Sequence, residues 1–156
     1  MTLYTSGRQG FTLIELLVVM AVLSVIIGLS LLGIREYAAH QQLRTAEVEV
    51  LSILREVRQG TLAAETENQY GVVIGTSTIT QFDVVPYDPD SPSNRVHVVR
   101  GVTLQPALSL ATTTVIFARL TGEPSVSGHI DIVHPRVVES KRIFVRENGI
   151  VESLSQ

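Results

Sequence analysis

A long apolar run near the N-terminus is the feature that most constrains this chain. It covers residues 11–34, and apart from Glu15 its only polar side chains are hydroxyls. As an α-helix it would measure roughly 36 Å, enough to cross the hydrocarbon core of a bilayer. Because Arg8 is the only charge in residues 1–10, the positive-inside rule predicts a cytoplasmic N-terminus. A secretory signal peptide would have a shorter apolar region that ends in small residues, so the run by itself favours an uncleaved membrane anchor.

Glu15 is the one acidic residue inside this run. An ionised carboxylate in a membrane helix costs about 3 kcal/mol on insertion scales and is by default functional. The positive end of the helix dipole lowers that cost in the first turns. A cut between Gly10 and Phe11 would place a charged α-amine four residues before Glu15, on the same helix face. From these residues alone, both a tolerated carboxylate and a paired one are possible.

An amphipathic pattern follows the apolar run in residues 35–60. Its apolar residues recur at spacings of three and four with charged residues between them, namely Leu43, Ala46, Val50, Leu54 and Val57. This pattern predicts that the helix continues with one buried face and a solvated charged face. Gly60 is the expected end of the helix, because glycine is a poor helix former.

Residues 61–156 change to short runs typical of β-strands. The runs are rich in Val, Ile, Thr and Phe: YGVVIG, TITQFDVV, RVHVVRGVTL, TTVIFARL, GHIDIVH and KRIFVRENGIVE. They predict one antiparallel sheet with sequential pairing. Asn148 and Gly149 predict a two-residue hairpin turn, and LTGEPSVSG predicts a looser one.

Few residues suggest site chemistry. Asp88 and Asp90 lie in the loop YDPDSPSN, but their spacing fits no defined calcium loop, so we predict a solvated turn. The four histidines are not spaced as a metal site, and no nucleotide-binding motif is present. The chain has no cysteine, and its formal net charge of −3 provides no general attraction for nucleic acid. We therefore expect no enzyme activity, no metal and no cofactor.

The stretch RQGFTLIELLVVMAVLSVI closely resembles the N-terminal signal of type IV prepilins and type II secretion pseudopilins. The resemblance implies that a prepilin peptidase cuts between Gly10 and Phe11 and that the new Phe11 amine is N-methylated. It also implies an assembly role for Glu15, which in this family is taken to pair with the terminal amine of an adjacent subunit. Pairing within the same helix remains an alternative.

The tail from Phe117 to Val151 resembles the closing strands of the minor-pseudopilin-H and FimT-like group, with an F-x-x-x-G stretch before an I-x-V-x-x-x-G-x-V hairpin. Some FimT-like pilins bind DNA through arginines near the C-terminus. In this chain only Lys141, Arg142 and Arg146 could contribute to a weak DNA contact. Strand alternation would place Arg142 and Arg146 on one face, where solvated charges are the simpler interpretation.

Together these observations predict an α+β pilin fold, in which a long N-terminal helix packs on an antiparallel β-sheet domain. The expected organisation is a removed cytoplasmic leader (1–10), a transmembrane or filament-core helix (11–34), its amphipathic continuation (35–60) and a globular β-rich domain (61–156). The predicted function is that of a minor structural subunit of a type II secretion pseudopilus or type IV pilus. Expected partners are prepilin peptidase, other pilin subunits, the membrane and an inner-membrane assembly platform driven by a cytoplasmic ATPase. The alternatives are a DNA-binding minor pilin and a plain signal-anchored periplasmic module.

Overall fold

The computed structural model of the chain describes residues 10–63, 69–83 and 86–155, apart from the side chains of residues 30–34 and 155. It contains one long helix and eight strands among these residues. They are α1 (Leu13–Ala63), β1 (Gly71–Ile74), β2 (Thr78–Phe82), β3 (Arg95–Val98), β4 (Thr103–Leu108), β5 (Thr114–Ile116), β6 (Gly128–Val133), β7 (Ser140–Val145) and β8 (Val151–Ser155). A short 3-10 turn, Ser109–Ala111, separates β4 from β5. The contacts divide the chain into two units, Met1–Tyr37 and Ala38–Gln156.

The first unit contributes the N-terminal part of α1. The large apolar side chains described between Phe11 and Leu29 are all exposed, from 47% at Leu23 to 83% at Phe11. None of them is therefore packed in a core formed by this chain. Considering only the residues that the structure describes, no helix is both long and apolar enough to cross a membrane.

The second unit is built around the C-terminal part of α1. All five apolar residues of the predicted buried face (Leu43, Ala46, Val50, Leu54, Val57) are buried, which confirms the amphipathic pattern. The predicted helix end at Gly60 is wrong, because α1 continues to Ala63. Thr61 explains the extension: it is fully buried one turn after Val57, and its hydroxyl donates to the Val57 carbonyl over 3.0 Å. The buried face thus continues past the glycine.

The strands form two four-stranded antiparallel sheets. Their orders are β3-β2-β1-β5 and β4-β6-β7-β8. The prediction of a single sheet is therefore wrong, although the β-rich character and antiparallel pairing are confirmed. The run RVHVVRGVTL is divided at Gly101, whose φ of +78° turns the chain from the first sheet into the second. Buried residues of α1 and of both sheets share one hydrophobic core.

The hairpin between β7 and β8 is present, but its turn is longer than predicted. Val145 pairs with Val151, the Gly149 N–H donates to the Arg146 carbonyl (2.9 Å), and the Arg146 N–H donates to the Ile150 carbonyl (3.0 Å). Gly149 has φ +78°, whereas Asn148 is not among the described residues with positive φ. This is a type I turn followed by a left-handed glycine, and not the two-residue turn that needs positive φ at both positions.

Candidate functional site

The predicted cleavage site lies just before α1. Gly10 and Phe11 are exposed and non-helical, and the helix begins at Leu13. Thr12 is the N-cap residue: its hydroxyl accepts the Glu15 backbone N–H (3.3 Å), and its carbonyl accepts the Leu16 N–H (3.2 Å). An exposed peptide bond outside the helix can enter a protease without helix unfolding, because none of its groups is part of the helical ladder.

Glu15 lies in the first turn of α1, where the helix dipole favours a negative charge. Thr12 and Glu15 have the T-x-x-E spacing of a capping box, and this spacing in the sequence indicates a helix start at Thr12. The structure contains one of the two hydrogen bonds of a capping box, in which the Glu15 backbone N–H donates to the Thr12 hydroxyl. Within the described part of the chain, no ion pair neutralises the Glu15 carboxylate. The carboxylate is exposed and therefore accessible to a group outside the described chain.

The three cations considered for DNA contact do not form one patch. Lys141 points to the buried side of β7 and is only 9% exposed, whereas Arg142 on the opposite side is half-buried. The Lys141 Nζ lies 2.7 Å from one Glu139 oxygen, and His40 Nδ1 lies 3.2 Å from the other. The hydrogen bond and charge of Lys141 hold the pKa of Glu139 below its ordinary value. Lys141 thus has a structural partner.

Both arginines are also paired with carboxylates. Arg142 forms a bidentate pair with Asp131 on the neighbouring strand. Its Nε donates to Oδ1 over 2.6 Å and its Nη2 donates to Oδ2 over 3.0 Å. The hydrogen bond to Asp131 raises the pKa of Arg142. Arg146 donates through Nε to Glu152 over 2.6 Å. These partners reduce the positive charge available to a phosphate backbone, so the geometry provides no support for a DNA-binding face.

The loop with Asp88 and Asp90 uses its polar groups to form a turn. The Asp88 carboxylate accepts the Asp90 backbone N–H (3.0 Å), and the Asn94 side-chain amide donates to the Asp88 carbonyl (2.8 Å). Such bonds are typical of Asx turns. No group of three or more His, Cys, Asp or Glu residues able to hold a metal occurs among the residues with described placement.

Comparison with known proteins identifies both the motif and the fold. A family model described as the prokaryotic N-terminal methylation motif matches residues 5–31. The type IV minor pilin FimU of Pseudomonas aeruginosa (strain PAO1) has a similar crystal structure, with 12% sequence identity and a TM-score of 0.59. The match covers 72% of this chain and 88% of FimU.

A second similar structure is the minor pseudopilin EpsH from the type 2 secretion system of Vibrio cholerae. It is 16% identical, with a TM-score of 0.55, and the match covers 73% of this chain and 97% of EpsH. No curated protein sequence matches this chain. At these identities the two structures establish the fold, and the predicted α+β pilin architecture is confirmed. The chain therefore carries the N-terminal methylation motif of prepilins on a fold that it shares with a minor pilin and a minor pseudopilin.

Proposed function

We propose that this chain is the precursor of a minor structural subunit of a type II secretion pseudopilus or type IV pilus. The observation that carries the proposal is the methylation motif, which lies on a helical segment whose described apolar side chains are all exposed. An apolar surface of this extent requires a partner. Lipid would cover it before assembly, and helices of neighbouring subunits would cover it in a filament. The role is structural and not catalytic.

Maturation would begin at the Gly10–Phe11 bond. A prepilin peptidase removes residues 1–10 at the cytoplasmic face, and the new Phe11 amine is then N-methylated. Glu15 acts in assembly, because moving an apolar helix from lipid into a helical bundle gains little hydrophobic free energy. Polar contacts must therefore set the register. Pairing Glu15 with the Phe11 amine of an adjacent subunit would remove two charges that are each costly alone in a dry core.

The proposed topology follows from the charge asymmetry of the N-terminus. Before cleavage the chain is a single-pass protein of the cytoplasmic membrane, with Arg8 and the leader in the cytoplasm. The second unit then lies on the periplasmic or extracellular side. Assembly would use an inner-membrane platform and a separate cytoplasmic ATPase, since the sequence contains no nucleotide-binding motif of its own.

Processing provides the first test. The full chain is expressed with and without a prepilin peptidase, and its intact mass and N-terminal sequence are determined. We expect the wild type to begin at methylated Phe11 only when the peptidase is present, and Gly10→Leu to remain full length. If residues 1–10 remain on the wild type in the presence of active peptidase, the precursor proposal is wrong. The chain would then be a signal-anchored module.

Assembly is tested separately with Glu15. We expect Glu15→Leu to be cleaved as efficiently as the wild type but to enter sheared filaments at least tenfold less, because the charged partner of the amine is lost. Glu36→Leu is a matched control, since it removes another acidic residue of α1 outside the motif matched at residues 5–31. Equal incorporation of the Glu15 and Glu36 variants would refute the assembly role. A plain signal anchor predicts that both substitutions are harmless.

A further inference from the structure

The edges of the first sheet are β3 and β5, and those of the second sheet are β4 and β8. An exposed edge is a template for pairing with another strand, so folded proteins usually cover or interrupt it. β4 is interrupted: its Leu104 N–H donates to the Thr76 carbonyl (2.7 Å), and Pro106 has no N–H to offer. This edge is therefore closed to strand addition.

β5 and β8 are covered by other parts of the chain. On β5, the Ile116 N–H donates to the Ser125 hydroxyl (3.1 Å), and the Ser125 N–H donates to the Ile116 carbonyl (2.7 Å). On β8, Arg55 of α1 donates to the Val151 carbonyl over 3.2 Å. Neither edge is free to pair with a further strand.

β3 differs from the other three edges in its outward main-chain groups. The Val99 N–H donates to the Ser77 carbonyl (2.9 Å), one position beyond the pair formed by Val98 and Thr78. Hydrogen-bonded and non-hydrogen-bonded pairs alternate in an antiparallel ladder, so Val98 and Val96 direct their N–H and C=O groups away from β2. In residues 10–63, 69–83 and 86–155, these outward groups have no hydrogen-bond partner.

The side chains around β3 leave room for a further strand. Val96 and Val98 are 61% and 54% exposed and lie on the same face of β3. A depression of about 330 Å³ lies between α1 and the end of β3, and its lining includes Thr45, Glu49 and Val98. An added strand would place one set of alternate side chains beside the valines and the other set toward this depression. Because Glu49 is negative, neutral polar side chains fit the second set.

The charges at the two ends of β3 indicate which kind of strand fits. Arg95 and Arg100 flank the strand, and no acidic residue lies between them. Arg95 has a side chain that is 75% exposed and reaches Glu56 only at 4.0 Å, a surface pair that contributes little. Arg100 is exposed and forms no ion pair with a carboxylate in the described part of the chain. Both arginines are therefore available to acidic residues of an incoming strand.

A second copy of the chain is a poor occupant for the same reason. In an antiparallel pairing of two β3 strands around His97, Arg100 of one copy would be opposite Asn94 of the other, next to Arg95. Each end of the pairing would then hold two positive charges, and like charges on paired strands are destabilising. The arginines thus act against self-pairing and favour an acidic strand.

We propose that β3 binds an extended acidic segment of a partner protein as an added strand of the first sheet. Main-chain groups of the segment pair with the outward N–H and C=O groups of Val96 and Val98, and apolar side chains lie beside the two valines. An acidic residue near each end of the segment pairs with Arg95 or Arg100. In this mode of recognition the main-chain bonds provide affinity and the side chains provide specificity. The proposal does not depend on the filament role, because all of these residues belong to the second unit.

Amide hydrogen exchange tests the proposal directly. The probe is a capped heptapeptide with Glu at both ends and alternating Val and Thr between them, and the control peptide has Lys at both ends. Exchange is followed by NMR on the isotope-labelled full chain in detergent micelles. We expect a saturating amount of the Glu-ended peptide to slow exchange of the Val96 and Val98 amides at least tenfold, and the Lys-ended peptide to leave it unchanged. The Val99 amide, which is bonded to Ser77, should exchange slowly throughout.

Two exchange results would overturn the proposal. The first is an absence of slowing, or equal slowing by both peptides, because the edge would then not select an acidic strand. The second is slow exchange of Val96 and Val98 without peptide that increases with protein concentration, because a second copy would then occupy β3.

Proline variants separate binding at the edge from folding. Val96→Pro removes an N–H that does not bond to β2, so we expect it to fold and to lose the slowing at Val98, whereas Val96→Thr keeps both properties. His97→Pro removes an N–H that faces β2 and should lower the urea midpoint further than Val96→Pro does. Loss of folding in Val96→Pro, or retained slowing at Val98, would contradict the outward direction of these groups.

A charge exchange tests the acidic character of the segment. Replacing Arg95 and Arg100 together with Glu should reverse the preference, so that the Lys-ended peptide slows exchange at Val96 and Val98 and the Glu-ended peptide does not. The urea midpoint should change little, because both side chains are exposed. An unchanged preference for the Glu-ended peptide would overturn the pairing with these arginines.

Discussion

The turn between β7 and β8 allows a quantitative test of the structure through Gly149→Ala. Gly149 has φ +78°, a left-handed conformation that costs a residue with a Cβ about 1–2 kcal/mol. The added Cβ would lie 2.1 Å from the Gly122 carbonyl oxygen and 2.7 Å from Arg58 Nε. Relieving this overpacking requires backbone movement, at about 1–3 kcal/mol. The same carbonyl accepts a 3.2 Å hydrogen bond from Arg58, worth about 1 kcal/mol. We expect a total loss of about 4 kcal/mol.

Gly101→Ala is the matched control for this substitution. Gly101 has the same φ of +78°, but its added Cβ would meet the Gln42 Oε1 at 2.6 Å, at the end of a flexible side chain. Moving Gln42 costs at most its hydrogen bond with His134, so we expect a loss of about 2 kcal/mol. Urea unfolding of the full chain, followed by circular dichroism, measures both values. Equal losses in the two variants would refute the argument that a backbone clash adds to the conformational cost.

Three further predictions concern the hydrophobic core, the loss of stability at acidic pH and the start of α1. Leu54 is fully buried and Val48 is 65% exposed, so Leu54→Ala should lower the free energy of unfolding by about 3 kcal/mol and Val48→Ala by less than about 0.5 kcal/mol, measured by urea unfolding. Because Lys141 lowers the pKa of Glu139 from 4.5, the stability that this pair provides is complete above pH 4.5 and is lost as the pH falls through the lowered pKa. Urea midpoints between pH 3 and 6 should therefore fall less steeply below pH 4.5 for Glu139→Gln than for the wild type, and parallel curves would contradict the pairing. Thr12→Ala should weaken the helix start by about 1 kcal/mol, seen as roughly fivefold faster amide exchange in the first turn of α1, whereas Thr12→Ser should retain the wild-type rate.

Local patterns in the sequence predicted several elements correctly. The spacing of three and four in the amphipathic segment correctly identified five of the buried residues of α1, because one helix face repeats with the helical period. The alternation expected in β7 is also present, because Arg142 lies on one face of the strand and Ile143 and Val145 are buried on the other. The T-x-x-E spacing that begins at Thr12 is a further local pattern, and it coincides with the observed start of α1.

Other features depended on contacts between distant parts of the chain. The spacing of strands along the sequence does not specify which sheet each joins, so the division at Gly101 and the pairing of β1 with β5 could not be read from the strand runs. Gly60 is a poor helix former, yet burial of Thr61 outweighs that local preference and extends α1. Tertiary packing overrides propensity here because the free energy of burial exceeds the small differences between residues in helix formation.

The sequence by itself determined the N-terminal methylation motif at residues 5–31, the isolated acidic residue Glu15 and the order of helix and strands. These features depend on residues close together along the chain, where identity and spacing carry the information. Only the tertiary structure decided that Lys141, Arg142 and Arg146 are each paired with a carboxylate. The physical reason is that a side chain's charge and hydrogen bonds are set by its neighbours in space, and strand pairing brings those neighbours together.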